Sequence, residues 1–281
     1  MSERFQISRL VGKNGTGGIY EATDTKHDRK VLLHRFYSEK GDTSVRGWDY
    51  LFSEISRQWQ VVKFSGFMKL HEAGIDDDGA FMSMHYFNSS PLLTSYPKSM
   101  PLSEFYNFAT QACTIIDRIH DLGIVHGALT PNSFLVSLET TNQNQYIMSD
   151  LGLTQLVPKI NRRFASGFLP SDPAILAPEL FEKLEPVFVT DIYMLGHIFY
   201  YMIAGAHPLA DLPLAEVEDK HFAHDIPRLD EIRPGVPEAI GTWIQSMMLP
   251  HPDDRVQDIR DLISNMPPLK VFCETPTEAV V

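Results

Sequence analysis

The amino-acid sequence predicts an α+β fold in two lobes, a β-rich N-terminal lobe carrying one helix and a mainly α-helical C-terminal lobe. Three observations predict it. Up to about Phe87, short β-type runs alternate with Gly- and Asp-containing turns. Residues 88–101 then hold three prolines and four serines, a connection. Beyond them, apolar residues recur mostly at helical spacing.

In chain order, Phe5 to Val11, Ile19 to Asp24 and Lys30 to Phe36 read as strands. From Trp48 to Val62 the period changes: Leu51, Ile55, Trp59 and Val62 share one helical face. Phe67 to Ala73 and Ala80 to Phe87 flank the turn Asp76-Asp77-Asp78-Gly79 as a hairpin. After the connection, Ser103 is placed as the N-cap of a helix whose Phe105, Phe108, Ala112, Ile115, Ile116 and Ile119 face the core. Thr190 is placed as the cap of a helix that is apolar on nearly all sides from Ile192 to Ile203 and ends at Gly205, which predicts burial through the second lobe. Pro237 opens a helix with Ile240, Trp243, Ile244 and Met247 on one side, and Val256, Ile259, Leu262 and Ile263 mark a last one. The expected division is therefore residues 1–87, 88–268 and a tail or linker, 269–281.

The bulk properties narrow the function classes. A chain of 281 residues buries a substantial core. Its net charge of -12 argues against a nucleic-acid surface, which needs clustered Lys and Arg. Cys113 and Cys273 lie far apart and suggest neither a disulfide framework nor a zinc site. No signal-peptide core opens the chain, and the run Ile192 to Ala204 is too short to span a bilayer. The expectation is a cytoplasmic segment without membrane insertion, complete or part of a longer protein.

Val11-Gly12-Lys13-Asn14-Gly15-Thr16-Gly17-Gly18-Ile19-Tyr20 is a glycine-rich turn between two strands. Two readings stand: a flexible hairpin, or a loop whose backbone N–H groups approach phosphates. The downstream residues favour the second. Ile124-Val125-His126-Gly127-Ala128-Leu129-Thr130-Pro131-Asn132-Ser133-Phe134-Leu135-Val136 resembles the catalytic loop H-R-D-L-K-P-x-N of eukaryotic-type protein kinases. Asp150-Leu151-Gly152 is similar to the metal-binding D-F-G, and Ala177-Pro178-Glu179 to the A-P-E that closes the activation segment. Thr190-Asp191-Ile192-Tyr193-Met194-Leu195-Gly196 and Asp253-Asp254-Arg255 resemble the later helix and arginine. The resemblance runs from about Phe5 to Pro267 and is closest to bacterial serine/threonine kinases, implying a bilobal protein-kinase-like fold.

The same resemblance marks departures. His34 stands where the family has its strand lysine, Ala128 where it has the catalytic aspartate, Thr130 for the loop lysine and Ser133 for the second metal-binding asparagine. Gly127 replaces an arginine, and Asn14 the middle loop glycine. An imidazole titrating near ~6.5 is no permanent cation. Glu54 matches the glutamate that pairs with the strand lysine; it either bonds His34 or is an exposed helix residue. The resemblance implies that Asp191 bonds the catalytic-loop backbone, that Glu179 and Arg255 form a buried pair, and that Met84 guards the back of a nucleotide cleft. Gly12, Gly15, Gly17, His34, Glu54, Met84 and Asp150 are the residual cleft. Asp150 has two readings, a magnesium ligand or a carboxylate that holds its own loop.

The expectation drawn from these replacements is a pseudokinase: no catalytic residue, no cofactor beyond weak ATP or magnesium, and a role as scaffold or allosteric regulator of a protein partner or fused domain. The alternatives are an atypical nucleotide-dependent transferase and an ATP sensor without turnover. The histidines, including His120, His126, His207, His221, His224 and His251, are expected to be solvated or fold-supporting rather than metal ligands.

Overall fold

A computed structural model describes residues 4–14, 17–36, 45–138, 143–151 and 171–273. It is α+β, with an antiparallel sheet in one lobe and helices in the other. By internal contacts one unit spans Met1–Ser95 with Asn132–Pro170, and the other Tyr96–Pro131 with Ser171–Val281. The sequence draws its boundary once, at residues 87 and 88. The contacts divide the chain discontinuously, because a later hairpin pairs with a strand of the connection.

In the first unit the strands β1 (Phe5–Asn14), β2 (Gly17–Asp24), β3 (Arg29–Phe36), β4 (Leu70–Asp76) and β5 (Gly79–His85) form one sheet in the order β1-β2-β3-β5-β4. Alternation puts Val31 and Leu33 of β3 against Phe5, Ala22 and Phe81 in its core. The helix α1 (Val45–Val61) buries Ile55 and Trp59, as its period predicts. The strand expected from Phe67 begins later, at Leu70. Residues 66–68 bond instead to a second sheet: Met68 N–H donates to Met148 O at 2.9 Å, and Met148 N–H to Gly66 O at 2.9 Å. That sheet joins β6 (Ser89–Pro91), β7 (Phe134–Ser137) and β8 (Tyr146–Met148) in order. The connection thus contains β6 and a short helix, α2 (Leu92–Ser95).

In the second unit α3 (Leu102–Asp121) starts one residue before Ser103. Pro101, with φ -57° and ψ 139°, is the last non-helical residue, and no side chain caps the helix. All six predicted core residues of α3 are buried. After α4 (Pro178–Phe181) comes α5 (Phe188–Ala204), sealed nearly all round. Thr190 is the third residue of its first turn, where its Oγ1 accepts from the N–H of the N-cap residue Val187 at 3.0 Å, so it caps the helix from inside as one arm of a capping box. Gly205 ends α5 at φ 85°, a left-handed value that favours glycine; a Cβ there would also lie 2.7 Å from Ser99 N. Phe199 meets Phe105 edge-on at 5.3 Å and stacks on Trp243 at 5.6 Å. The outer helices are α6 (Leu214–Ala223), α7 (Leu229–Ile232), α8 (Glu238–Gln245), α9 (Ile259–Ser264) and α10 (Leu269–Cys273). Pro237 precedes α8 by one residue, and Val256 lies before α9. The expected tail carries α10, whose Phe272 is buried beside Tyr106, 5.1 Å between ring centroids.

Candidate active site

Each unit holds part of the predicted site. In the first, the glycine-rich turn joins β1 to β2; Gly15 lies outside the described residues. Gly12 has ordinary room, since an added Cβ would be 3.6 Å from Pro91 Cγ. Gly17 has none. A Cβ there would lie 2.0 Å from Arg35 O and 2.8 Å from His34 Nε2, so only glycine lets this backbone lie over β3.

His34 points into the core, 1% exposed, paired in the sheet between Ile19 and Met82 and stacked on Phe36 at 4.5 Å. Burial pushes its imidazole down to about 4, against the opposing influence of the Asp150 charge. It is therefore neutral at pH 7, as the sequence leads one to expect. Met84 is fully buried on β5, opposite Leu32 and Leu70. Glu54 is not brought to His34. Of its two readings the helix-residue one fits: its carboxylate takes Arg57 one helical turn on, at 2.8 Å.

Asp150 comes just after β8 and is buried. The β7–β8 hairpin sets it beside Ser133: Phe134 pairs with Met148, and Ser149 N–H donates to Ser133 O at 2.9 Å. Asn132, which no sequence argument singled out, donates from Nδ2 to Lys13 O at 3.2 Å and ties the start of this hairpin to β1. Gly152 lies outside the described residues.

In the second unit the loop His126–Thr130 hangs from one buried carboxylate. Asp191 accepts from His126 N–H at 2.8 Å, Gly127 N–H at 2.6 Å and His120 Nε2 at 2.8 Å. Gly127 takes φ 61°, and Ala128 and Leu129 are buried behind it, while Thr130 is half-buried. Ser171 Oγ donates to Leu129 O at 2.8 Å. Below, Arg255 grips Glu179 with two bonds of 2.8 Å, and Thr190 Oγ1 donates to the same carboxylate at 2.7 Å. Three further histidines line this interior. His197 Nδ1 meets His207 Nε2 at 2.9 Å, and His221 bonds Tyr193 at 2.7 Å and Pro173 O at 2.9 Å.

Magnesium is usually held by one or two carboxylates together with nucleotide phosphates. Asp150 fits that role as one carboxylate. Among the described residues no group of three His, Cys, Asp or Glu makes a metal site unaided.

A family model described as "Protein kinase domain" matches residues 5–270. The serine/threonine-protein kinase PknE of Mycobacterium tuberculosis is 26% identical over 274 residues, covering 92% of this chain and 44% of that protein. PknH of the same organism, also named a serine/threonine-protein kinase, is 24% identical over 266 residues, covering 92% of this chain and 40% of its own length. The chain thus spans less than half the length of these curated relatives. Among solved structures, the Mycobacterium tuberculosis PknI kinase domain superposes with a TM-score of 0.68 at 18% identity, covering 94% of this chain and 95% of that one. The twitchin kinase region of C. elegans gives 0.70 at 17% identity, covering 94% of this chain and 45% of that one. At that identity the structures establish the fold.

These findings correct one expectation. The replacements His34, Ala128, Thr130 and Ser133 suggested a non-enzyme, a pseudokinase serving as scaffold or allosteric regulator. The kinase-domain match over almost the whole chain, with relatives named as serine/threonine kinases, points to an enzyme instead. Among the described residues no helix is long and apolar enough to cross a membrane.

Proposed function

This chain belongs to the protein kinase family, and on that premise we propose that it transfers the γ-phosphoryl group of ATP to serine or threonine hydroxyls of protein substrates. The observation that carries this reading is the kinase-domain match over residues 5–270, joined to the survival of the framework that positions a kinase loop. Phosphoryl transfer is catalysed mainly by positioning and charge neutralisation, and here the positioning elements are built in full. Asp191 fixes the loop backbone, the Glu179–Arg255 pair fixes α4 ahead of the helix that carries Asp191, and Gly17 brings β2 backbone against β3.

ATP, when bound, supplies the phosphoryl group, and its metal ion offsets the developing charge. Asp150 is the residue that would hold that metal. His34, being neutral, offers a hydrogen bond and no charge; the exposed Lys13, whose carbonyl is tied to Asn132, supplies the cation at this end of the turn. Thr130 and Ser133 contribute hydroxyls in place of a cation and an amide. The expected turnover lies below the ~1–100 s⁻¹ common for protein kinases. A reaction that consumes ATP belongs in the cytoplasm, with protein partners as its substrates.

The test is phosphate incorporation into the chain itself and into a mixed protein substrate, with ATP and Mg²⁺ or Mn²⁺, and then phosphoamino-acid analysis. Incorporation on serine or threonine that Asp150→Ala abolishes is expected. No incorporation by folded wild-type protein with either metal refutes the reading.

A further inference from the structure

Ala128 leaves the substrate hydroxyl without the carboxylate that the family places there, because a methyl group accepts no proton. The second unit brings three other carboxylates to the same loop or its support, and two are spent. Asp191 is buried and takes three donors; Glu179 is buried and saturated by Arg255 and Thr190. Asp172 differs on each count. The bond from Ser171 Oγ to Leu129 O, 2.8 Å, pins its neighbour to the residue next to Ala128. Its own backbone is fixed by a turn, with its carbonyl accepting from Ile175 N–H at 2.9 Å and Leu176 N–H at 3.1 Å. One carboxylate oxygen, Oδ1, accepts from Ala174 N–H at 3.0 Å, which orients the group. Among the described residues Oδ2 has no hydrogen-bond partner, and the side chain faces solvent.

We propose that Asp172 is the general base of this kinase, a carboxylate presented to the catalytic loop from a distant stretch of chain. The inference rests on the phosphotransfer reading. In the step, the substrate hydroxyl oxygen bonds to the γ-phosphorus of ATP as the bond from that phosphorus to the β,γ-bridging oxygen breaks. The electron pair leaves with ADP, and the hydroxyl proton passes to Asp172 Oδ2. A carboxylate held through one oxygen, open at the other and adjacent in chain to the residue bonded to Leu129 has the attachment and orientation that such a base needs.

The experiment compares wild type, Asp172→Asn, and Asp172→Asn combined with Ala128→Asp, each as the whole chain. Asparagine keeps the oxygen that accepts from Ala174 N–H and removes the basic one. Expected for Asp172→Asn are a drop in kcat of at least ~100-fold, a weaker dependence of rate on pH, and recovery of rate when Ala128→Asp restores a carboxylate on the loop. The unfolding midpoint and the thermal shift produced by ATP with Mg²⁺ should match wild type. Undiminished transfer by Asp172→Asn overturns this inference alone, as does a changed midpoint or ATP shift, which would assign Asp172 a structural role. Absence of transfer by wild type overturns the proposed function and this inference together.

Discussion

Replacing Arg255 by methionine tests how far the site depends on its buried support. Arg255 is almost fully buried and its guanidinium serves five acceptors: both oxygens of Glu179 at 2.8 Å, Leu249 O at 2.7 Å, Pro250 O at 2.7 Å and Val189 O at 3.2 Å. It also lies 4.4 Å over the Tyr193 ring. Arg255→Met leaves the Glu179 carboxylate buried with Thr190 as its remaining side-chain donor, and takes the arginine donor from Leu249 O and Pro250 O. Breaking a buried ion pair by removing one partner costs about 3–5 kcal/mol. At ~2–4 °C per kcal/mol for a chain of this size class, the unfolding midpoint falls by roughly 6–20 °C.

The double replacement Arg255→Met with Glu179→Met sharpens the test. It removes the stranded charge, so the cost should fall short of the sum of the single variants. It should not vanish, because each carbonyl left without a donor still costs about 1–3 kcal/mol. Arg9→Ala is the control: its 2.8 Å pair with Glu21 is half exposed and worth only ~0.2–1 kcal/mol. Urea unfolding of wild type and the four variants, Glu179→Met included, reads all these differences. If Arg255→Met costs no more than Arg9→Ala, the buried pair does not support the site.

Two predictions concern other parts of the interior. Burial lowers His34 and His221 to about 4, His207 to about 3, and His197 well below its ordinary value. The unfolded chain therefore binds more protons than the folded one below pH ~6.5, so stability is full above that value and falls as pH drops toward 4. Each histidine contributes at most ~1.4 kcal/mol per pH unit, and denaturant titrations at pH 7, 6 and 5.5 should show the decline; equal stability at all three contradicts it. Gly17→Ala drives a methyl into Arg35 O and His34, which costs about 1–3 kcal/mol if β2 and β3 must part; unchanged thermal unfolding and unchanged ATP response would contradict the close approach.

Much of the fold was legible because its signals are local and periodic. Leu51, Ile55 and Trp59 announce α1, alternation announces β1 to β3, and the apolar run Ile192 to Ile203 announces a sealed helix. Cap positions were read less well. Ser103 has the right chemistry for a cap, yet Pro101 starts α3 by its fixed φ; Thr190 does cap α5, from its third position rather than the first, while also donating to Glu179, eleven residues back. β6 was missed because Ser89–Pro91 is too short to show alternation and exists through its pairing with β7. Glu54 shows the converse: between a long-range partner and an ordinary helix position the sequence left the choice open, and Arg57, one turn away, holds it.

If Asp172 is the base, as proposed above, reading motifs position by position overstates a loss. Aligning a loop with a family pattern asks which side chain stands at each place, and Ala128 then counts as a missing base. Proton acceptance asks something weaker, that a carboxylate reach the hydroxyl from any element of the fold. Ser171 and Leu129 are 42 residues apart, and no period or spacing links them. Their hydrogen bond is what brings Asp172 to the loop. The same reasoning applies to charge: the pattern looks for a cation at His34, whereas a basic residue, Lys13, stands at the end of β1, its carbonyl bonded by Asn132. Framework residues such as Asp191, Glu179 and Arg255 are fixed in place by the many bonds each must make. A single acceptor or a single cation makes few, and so is the part of a site that a fold can supply from a different element.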